Sequence, residues 1–289
     1  MRNDFVAFIL THGRPNNVYT LNSLRRHGYT GKVIFVLDNE DKTISEYRKN
    51  YGSDNIYVFD KLAVSKTFDE ADNFNDRRAI VYARNACFDI AKELGYTYFI
   101  ELDDDYTWFY NTFDNNANYI SKDINIKRLD DYFSAMLSFF ESVPSLLSVC
   151  MSQGGDFMGG AGSQIARSHV KGKFVRKVMN SFICSVNRPF KFNGRLNEDV
   201  NTYTKLANTG ALFLTIPRVR LAQKQTQSNK GGMTDIYLDG GTYVKSFYTI
   251  MFQPSSVSIR PMGVANKRLH HSVDWNATLP EIISEEYKK

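Results

Sequence analysis

The sequence predicts an α/β fold: a mixed sheet with flanking helices, running into an α+β C-terminal region. Three observations carry this. Apolar runs rich in Val, Ile and Phe alternate with helical patterns up to residue 102. Gly28 and Gly95 stand where two of those helices should stop. Beyond residue 152 the alternation gives way to shorter elements among Gly-rich and basic stretches.

The elements follow in order. "DFVAFIL" (4–10) and "KVIFVLD" (32–38) read as buried strands, and Val18, Leu21 and Leu24 between them have helical spacing. A helix is expected after Asp41 and a strand over "NIYVF" (55–59). "NDRRAIVYARNACFDIAKELG" (75–95) is the clearest helix, with Ile80, Ala83, Cys87, Ile90 and Leu94 on one stripe. The strand Tyr96–Leu102 comes next. Strand–helix alternation predicts parallel pairing with right-handed crossovers, and ligands of such sheets bind beyond the carboxyl ends of the strands. In the second half, 128–143 reads as a helix, 145–151 as a strand and "QGGDFMGGAGSQ" (153–164) as a Gly-rich loop. That loop lacks the GK[ST] of a Walker motif and does not open the first βα unit, so it is expected to let backbone approach a ligand. "FICSVNRPFKFN" (182–193) and "ALFLTIP" (211–217) read as strands, and 198–210 as a helix ending at Gly210.

With 289 residues, 43% of them hydrophobic, the chain can build a sizeable core. We expect a donor-binding half, 1–152, and an acceptor-binding and catalytic half, 153–289, of one domain. The short apolar run at the N-terminus follows Asp4 and lacks a small-residue cleavage site, so no signal peptide is expected. No apolar stretch approaches the roughly 20 residues that span a bilayer. Cys87, Cys150 and Cys184 form no CxxC pair, which fits reduced thiols and a cytoplasmic protein.

Two charge features point to chemistry. Asp103, Asp104 and Asp105 close an apolar strand at the expected ligand edge, with Glu101 nearby. Bare, they would repel one another or hold protons. A hard cation, Mn²⁺ or Mg²⁺, removes the repulsion, with water and substrate phosphates completing its shell. Alternate residues of an extended chain share a side, which favours Asp103 and Asp105 as ligands. The second feature lies between Phe157 and Thr234, where 13 Lys and Arg face two acids, Glu198 and Asp199, a net +11 within a chain of net +5. Such a stretch suits an anionic partner. Its densest part, Arg167, Lys171, Lys173, Arg176 and Lys177, suits a phosphate backbone, and Phe190, Phe192 and Tyr203 offer stacking faces.

Together "FILTHGRP", the strand ending in Asp38, the helix carrying Arg84 and Asn85, "FIELDDD" and "NEDVNTYTKLA" resemble the nucleotide-sugar glycosyltransferases of the GT-A fold, a Rossmann-type architecture. The resemblance covers most of residues 4–215. It implies a DxD-type metal site on the donor diphosphate. It also implies that Thr11, Gly13, Arg14 and Asp38 hold the nucleotide. Arg84 would reach phosphate or orient the Asp cluster, and Asp104 would face the donor ribose or sugar. His270 and His271 fit the C-terminal histidine that some members give to the metal. "NEDV" looks like their acidic acceptor-side segment, with Asp199 as base and Glu198 on the acceptor. Both acids are expected to keep low pKa values in so basic a setting. The triple Asp departs from a lone DxD and leaves the pair of ligands open.

The tail from Asn229 to Ile259 and the basic stretch before it look like the phage glycosyltransferases associated with TET/JBP-type base hydroxylases. That implies sugar transfer from a nucleotide-sugar, UDP-glucose or UDP-GlcNAc, to 5-hydroxymethylated pyrimidines in phage DNA within the host cytoplasm. A GT-A enzyme acting on a glycan or protein is the rival reading. "DDDYT" also satisfies the DxDx[TV] of haloacid-dehalogenase-type phosphatases, but at least three strands precede it and no GDxxxD follows. A non-catalytic nucleic-acid-binding protein leaves both acidic clusters unexplained.

Overall fold

A computed structural model of the protein describes residues 1–224, 236, 239, 241, 243–263 and 267–279. Its main strands are β1 (Phe5–Leu10), β2 (Lys32–Asp38), β3 (Ile56–Phe59), β4 (Tyr98–Asp103), β5 (Tyr106–Phe113), β6 (Tyr119–Asn125), β7 (Leu146–Gln153), β8 (Ser181–Ser185) and β9 (Leu212–Gln223). They form one sheet in the order β3–β2–β1–β4–β8–β7–β9–β5–β6, so both halves of the chain contribute to it. The first four strands in that order pair in parallel, as strand–helix alternation demands. β8 runs antiparallel to β4, and β7 pairs in parallel with β9.

The helices are α1 (Tyr19–Arg26), α2 (Ile44–Tyr51), α3 (Lys61–Ser65), α4 (Val81–Glu93), α5 (Leu129–Ser142), α6 (Gln164–Val170) and α7 (Glu198–Ala207), followed by a helix over Val244–Phe252. They cover both faces, which is why β1 is apolar at all six positions rather than alternating. Phe5, Ala7 and Ile9 face one core, shared with Leu24, Tyr47 and Phe133 of α1, α2 and α5. Val6, Phe8 and Leu10 face the other, shared with Cys87 and Ile90 of α4 and Val200 and Tyr203 of α7. Gly28 ends α1 with φ +85°, and a Cβ there would stand 2.4 Å from the Lys127 carbonyl oxygen.

Several expectations need correction. α4 starts at Val81, six residues later than its pattern suggested, and Leu94 of the proposed stripe is 40% exposed. Its buried surface instead includes Arg84 and Asn85. Asn85 is satisfied by the Phe192 N–H and C=O, at 2.8 and 3.0 Å. Only Ser181–Ser185 of the proposed strand through residue 193 is extended in the sheet, because a turn follows in which the Arg188 N–H donates to the Ser185 carbonyl at 3.1 Å. The hairpin β5–β6 directly after the Asp cluster was not anticipated. A small antiparallel pair, β10 (Val257–Met262) and β11 (Arg268–Val273), was also unforeseen and carries both C-terminal histidines. Residues 229–235, 237, 238, 240 and 242 of the recognised tail lie outside the described residues. All three cysteines are free and buried, and among the described residues no helix is long and apolar enough to cross a membrane.

Candidate active site

A cleft of about 1060 Å³ opens at the carboxyl ends of the parallel strands. Its lining includes Thr11, Arg14 and Asp38, the whole Asp103–Asp105 cluster, Glu198 and Asp199, and His270 and His271. Residues spread over 260 positions thus meet in one cavity. Arg167, Lys171 and Lys173 stay outside it, exposed on α6 and the turn beyond.

The three aspartates divide by partner. Asp104 turns into the loop after β1, where its Oδ2 accepts from the Thr11 hydroxyl at 2.7 Å and its Oδ1 from the Arg14 guanidinium at 3.1 Å. It is buried and braces that loop, which leaves it poorly placed for the ribose or sugar contact the sequence suggested. Asp103 accepts from Arg84 at 3.2 Å. Asp105 Oδ1 is buried with no hydrogen-bond partner among the described residues. Burial raises Asp103 to about 6, with the charge of Asp104 adding to it. Burial and then the charges of Asp103 and Asp104 raise Asp105 to about 7. An orphaned carboxylate oxygen beside a second repelled carboxylate is a pair that could hold a hard cation such as Mn²⁺ or Mg²⁺. Among the described residues no group of three or more His, Cys, Asp and Glu is gathered as a ready-made cage. A cation with two protein carboxylates, water and substrate phosphate needs no such cage.

Behind the cluster stands Arg84, 2% exposed. Its Nε donates to Glu198 at 3.0 Å, its Nη2 to Asp103 at 3.2 Å, and its Nη1 lies 3.5 Å from Glu101. The guanidinium also stacks 4.5 Å from the centre of the Phe182 ring. Of its two expected roles, the geometry is that of orienting the carboxylates, since all three nitrogens already face them. Glu101, fully buried, has no hydrogen bond to either oxygen among the described residues, and burial raises it to about 8.

The nucleotide-side residues form a second network. The Asp38 carboxylate meets His12 Nδ1 at 2.7 Å and Lys61 Nζ at 3.2 Å, and accepts from the Glu40 N–H at 3.1 Å. Burial pushes Asp38 up, but these two cations hold it below its ordinary value. Gly13, φ +68°, bends the loop so that its N–H donates to Asp41 at 2.8 Å. His12 and Lys61 were not singled out from sequence. His12 lay inside the quoted "THGRP", but Lys61 carried no signal.

On the opposite wall, Asn197 in the left-handed region, φ 57°, turns the chain into α7 and delivers Glu198 and Asp199 at its first turn. Asp199 Oδ1 accepts from the Val200 N–H at 2.8 Å. Burial, then the neighbouring Glu198, raises Asp199 to about 6. This corrects the expected low value: of the basic stretch's charges, none but Arg84 and Lys245 from elsewhere bears on it appreciably. His271 Nδ1 lies 3.0 Å from Asn197 Nδ2, and burial keeps this imidazole neutral, with a pKa near 3. A neutral ring is the form that binds metal.

The basic stretch is not one positive face. Arg188 caps α5 through the carbonyls of Phe140, Val143 and Leu146 at 2.9–3.0 Å. Arg195 pairs with Asp72 at 2.8 Å, and Arg220 with Asp123. Arg176 donates to the Trp275 carbonyl, and Lys177 pairs with Asp156 at the cleft wall. Acids outside the stretch, Asp72, Asp123 and Asp156, thus neutralise part of it. Only Arg167, Lys171 and Lys173 of the expected phosphate-binding five are fully solvent-facing. Phe190 and Phe192 are core residues packed 5.0 Å apart, and Tyr203 stacks on Trp275 at 5.7 Å, so none presents a free face.

Known proteins bear on this site as follows. No curated protein matches the chain. Glucosyl-3-phosphoglycerate synthase from Mycobacterium tuberculosis, solved with Mn²⁺, UDP and phosphoglyceric acid, is 9% identical with a TM-score of 0.47, covering 93% of this chain and 86% of that one. A mannosyltransferase from Pyrobaculum calidifontis, solved with GDP-Man and Mn²⁺, is 12% identical with a TM-score of 0.46, covering 87% and 74%. Mannosyl-3-phosphoglycerate synthase from Rubrobacter xylanophilus is 10% identical with a TM-score of 0.43, covering 93% and 86%. These are loose likenesses. The sequence profile of the TET-Associated Glycosyltransferase family matches residues 5–232, more than three quarters of the 289. The chain belongs to the TET-associated glycosyltransferase family.

Proposed function

We propose that this glycosyltransferase moves a sugar from a uridine diphosphate sugar, UDP-glucose or UDP-GlcNAc, to the hydroxyl of a 5-hydroxymethylated pyrimidine in DNA. The observation that carries the reading is the cleft in which Asp105, with its Oδ1 unsatisfied among the described residues, a cation-braced Asp38 and a half-buried Asp199 face one another's walls.

Asp103 and Asp105 would hold Mn²⁺ or Mg²⁺, and His271 is available to it. The ion would supply positive charge to the leaving diphosphate. The chain's own residues do the rest. Thr11, Arg14 and Asp38 orient the nucleotide. Asp199 takes the proton of the acceptor hydroxyl as its oxygen bonds to the anomeric carbon and the nucleotide diphosphate departs, a single displacement. A carboxylate with pKa about 6 is largely ionised at neutral pH, yet more basic than an ordinary aspartate, which favours that role. Arg84 holds Glu198 through Nε and Asp103 through Nη2, tying the acceptor wall to the donor wall. The deoxyribose phosphates would meet Arg167, Lys171 and Lys173.

The test is transfer of radiolabelled sugar from each donor to oligonucleotides carrying 5-hydroxymethylcytosine, 5-hydroxymethyluracil or unmodified bases, with Mn²⁺ or chelator. Label on hydroxymethylated strands alone, abolished by chelator, is expected. No label on any DNA, together with label on a glycan or protein acceptor, would replace the acceptor half of the proposal.

A further inference from the structure

The Gly-rich loop after β7 has so far been given no task. Gln153, Gly155 and Asp156 line the cleft, and two residues further on Met158 is 80% exposed, the most exposed large hydrophobic among the described residues. The loop that presents it is stapled on both sides. Asp156 accepts from the Gln153 N–H at 2.9 Å and pairs with Lys177. Phe157 is buried against Phe113, Tyr119 and the α6 residues Ile165 and Ala166. Gly159 and Gly160 follow at φ +90° and +58°, conformations that turn the chain sharply away and leave Met158 at the tip. Ser163 then caps α6, whose exposed residues include Arg167, with Lys171 and Lys173 beyond its end.

A hydroxymethyl group inside a duplex cannot reach Asp199 on the wall of a cleft, so the base must leave the stack. The cleft's 1060 Å³ is at the upper limit of the roughly 300–1,000 Å³ of a small-ligand site, which gives room for a donor and an extruded nucleotide. Extrusion leaves a gap, and apolar side chains such as Met wedge into such gaps. A second apolar residue, Phe74, is 75% exposed near the other lip, where Arg77 and Arg78 line the cleft. Arg195 lies over its ring at 5.7 Å, so one of its faces is already occupied. Met158 instead precedes, on the same loop–helix segment, the exposed cations Arg167, Lys171 and Lys173.

We propose that Met158 is the wedge that fills the helix when a modified base is drawn from duplex DNA into the cleft, an inference that rests on the DNA acceptor proposed above. Sugar transfer is measured on one hydroxymethylated oligonucleotide, single-stranded and as a duplex, for the wild type, Met158→Ala, Met158→Leu and Phe74→Ala. Met158→Ala is expected to lower kcat/KM on the duplex by at least about tenfold while leaving the single strand within about twofold. Met158→Leu should keep most duplex activity, and a mismatch at the target base should rescue Met158→Ala. Equal effects on both substrates, or duplex-selective loss in Phe74→Ala rather than Met158→Ala, would overturn the wedge and leave the acceptor intact. A wild type that acts on single strands only would do the same. Transfer to neither DNA form would overturn the acceptor reading and the wedge with it.

Discussion

Arg84→Met removes the one cation on which three carboxylates converge. Glu198, Asp103 and Glu101 lie 3.0, 3.2 and 3.5 Å from its nitrogens, and the side chain is 2% exposed. Burial alone would lower the guanidinium's pKa, but Asp103, Glu198 and Glu101 together raise it well above its ordinary value. Methionine fills the stem's volume and supplies no charge. Removing one member of a buried pair costs about 3–5 kcal/mol, because the partners stay buried without compensation. The carboxylates can relieve this by taking up protons, so the loss should be largest near pH 8 and smaller near pH 5. Guanidinium chloride unfolding of Arg84→Met at both pH values reads it directly. Adding Glu101→Gln, which deletes the most desolvated charge, should return part of the stability. Arg84→Lys should fall between, since a point charge cannot face three partners at once. An Arg84→Met protein within about 1 kcal/mol of wild type at pH 8 would refute the hub, set against the ~3–5 kcal/mol expected. So would a double variant no more stable than the single.

Asp103→Asn with Asp105→Asn should abolish Mn²⁺-dependent turnover and keep the fold, checked by circular dichroism and activity. Because Asp103 and Asp105 titrate near 6 and 7 when folded against about 3.8 unfolded, the folded state binds the extra protons. Metal-free stability should therefore fall as pH rises from about 4 to 7, and saturating Mn²⁺ should flatten that slope in thermal melts. Asp199→Asn should reduce kcat by about 10²–10⁴ with donor affinity unchanged. In the wild type kcat should decline as pH drops through about 6, where Asp199 takes up its proton, and the Asn variant should lose that limb. Changing Arg167, Lys171 and Lys173 to Ala should weaken DNA binding at every sequence. The slope of log affinity against log salt should fall by up to about 0.9 per lost phosphate contact.

The first half of the chain was legible because its signals are local. Apolar runs bounded by Gly28 and Gly95 specify strands and helices with little help from tertiary contacts, and the Asp cluster announces a strand end. The β5–β6 hairpin was missed because "YTWFYNTF" carries no clean alternation: a bulge between Tyr106 and Trp108 lets Tyr106 and Phe109 both face inward. Arg84 was visible as a residue but not as a buried hub, since nothing in its neighbours reveals that Glu101 and Glu198 converge on it from other elements. The basic stretch misled for the same reason. Its arginines are counted along the chain, while Asp72 and Asp123, which neutralise Arg195 and Arg220, come from the first half. Asp199's raised pKa likewise depends on burial that α7 acquires only by packing.

The central claim is that one cleft holds a nucleotide-sugar through a cation on Asp103 and Asp105, with Asp199 facing the sugar. A crystal structure with Mn²⁺ and a non-hydrolysable UDP-sugar tests it most directly. The account predicts an anomalous manganese peak bonded to both carboxylates and the diphosphate, the uracil or ribose against Asp38, and Asp199 across from the anomeric carbon. A UDP-sugar bound with no manganese at Asp103 and Asp105, or with its anomeric carbon turned away from α7, would contradict it.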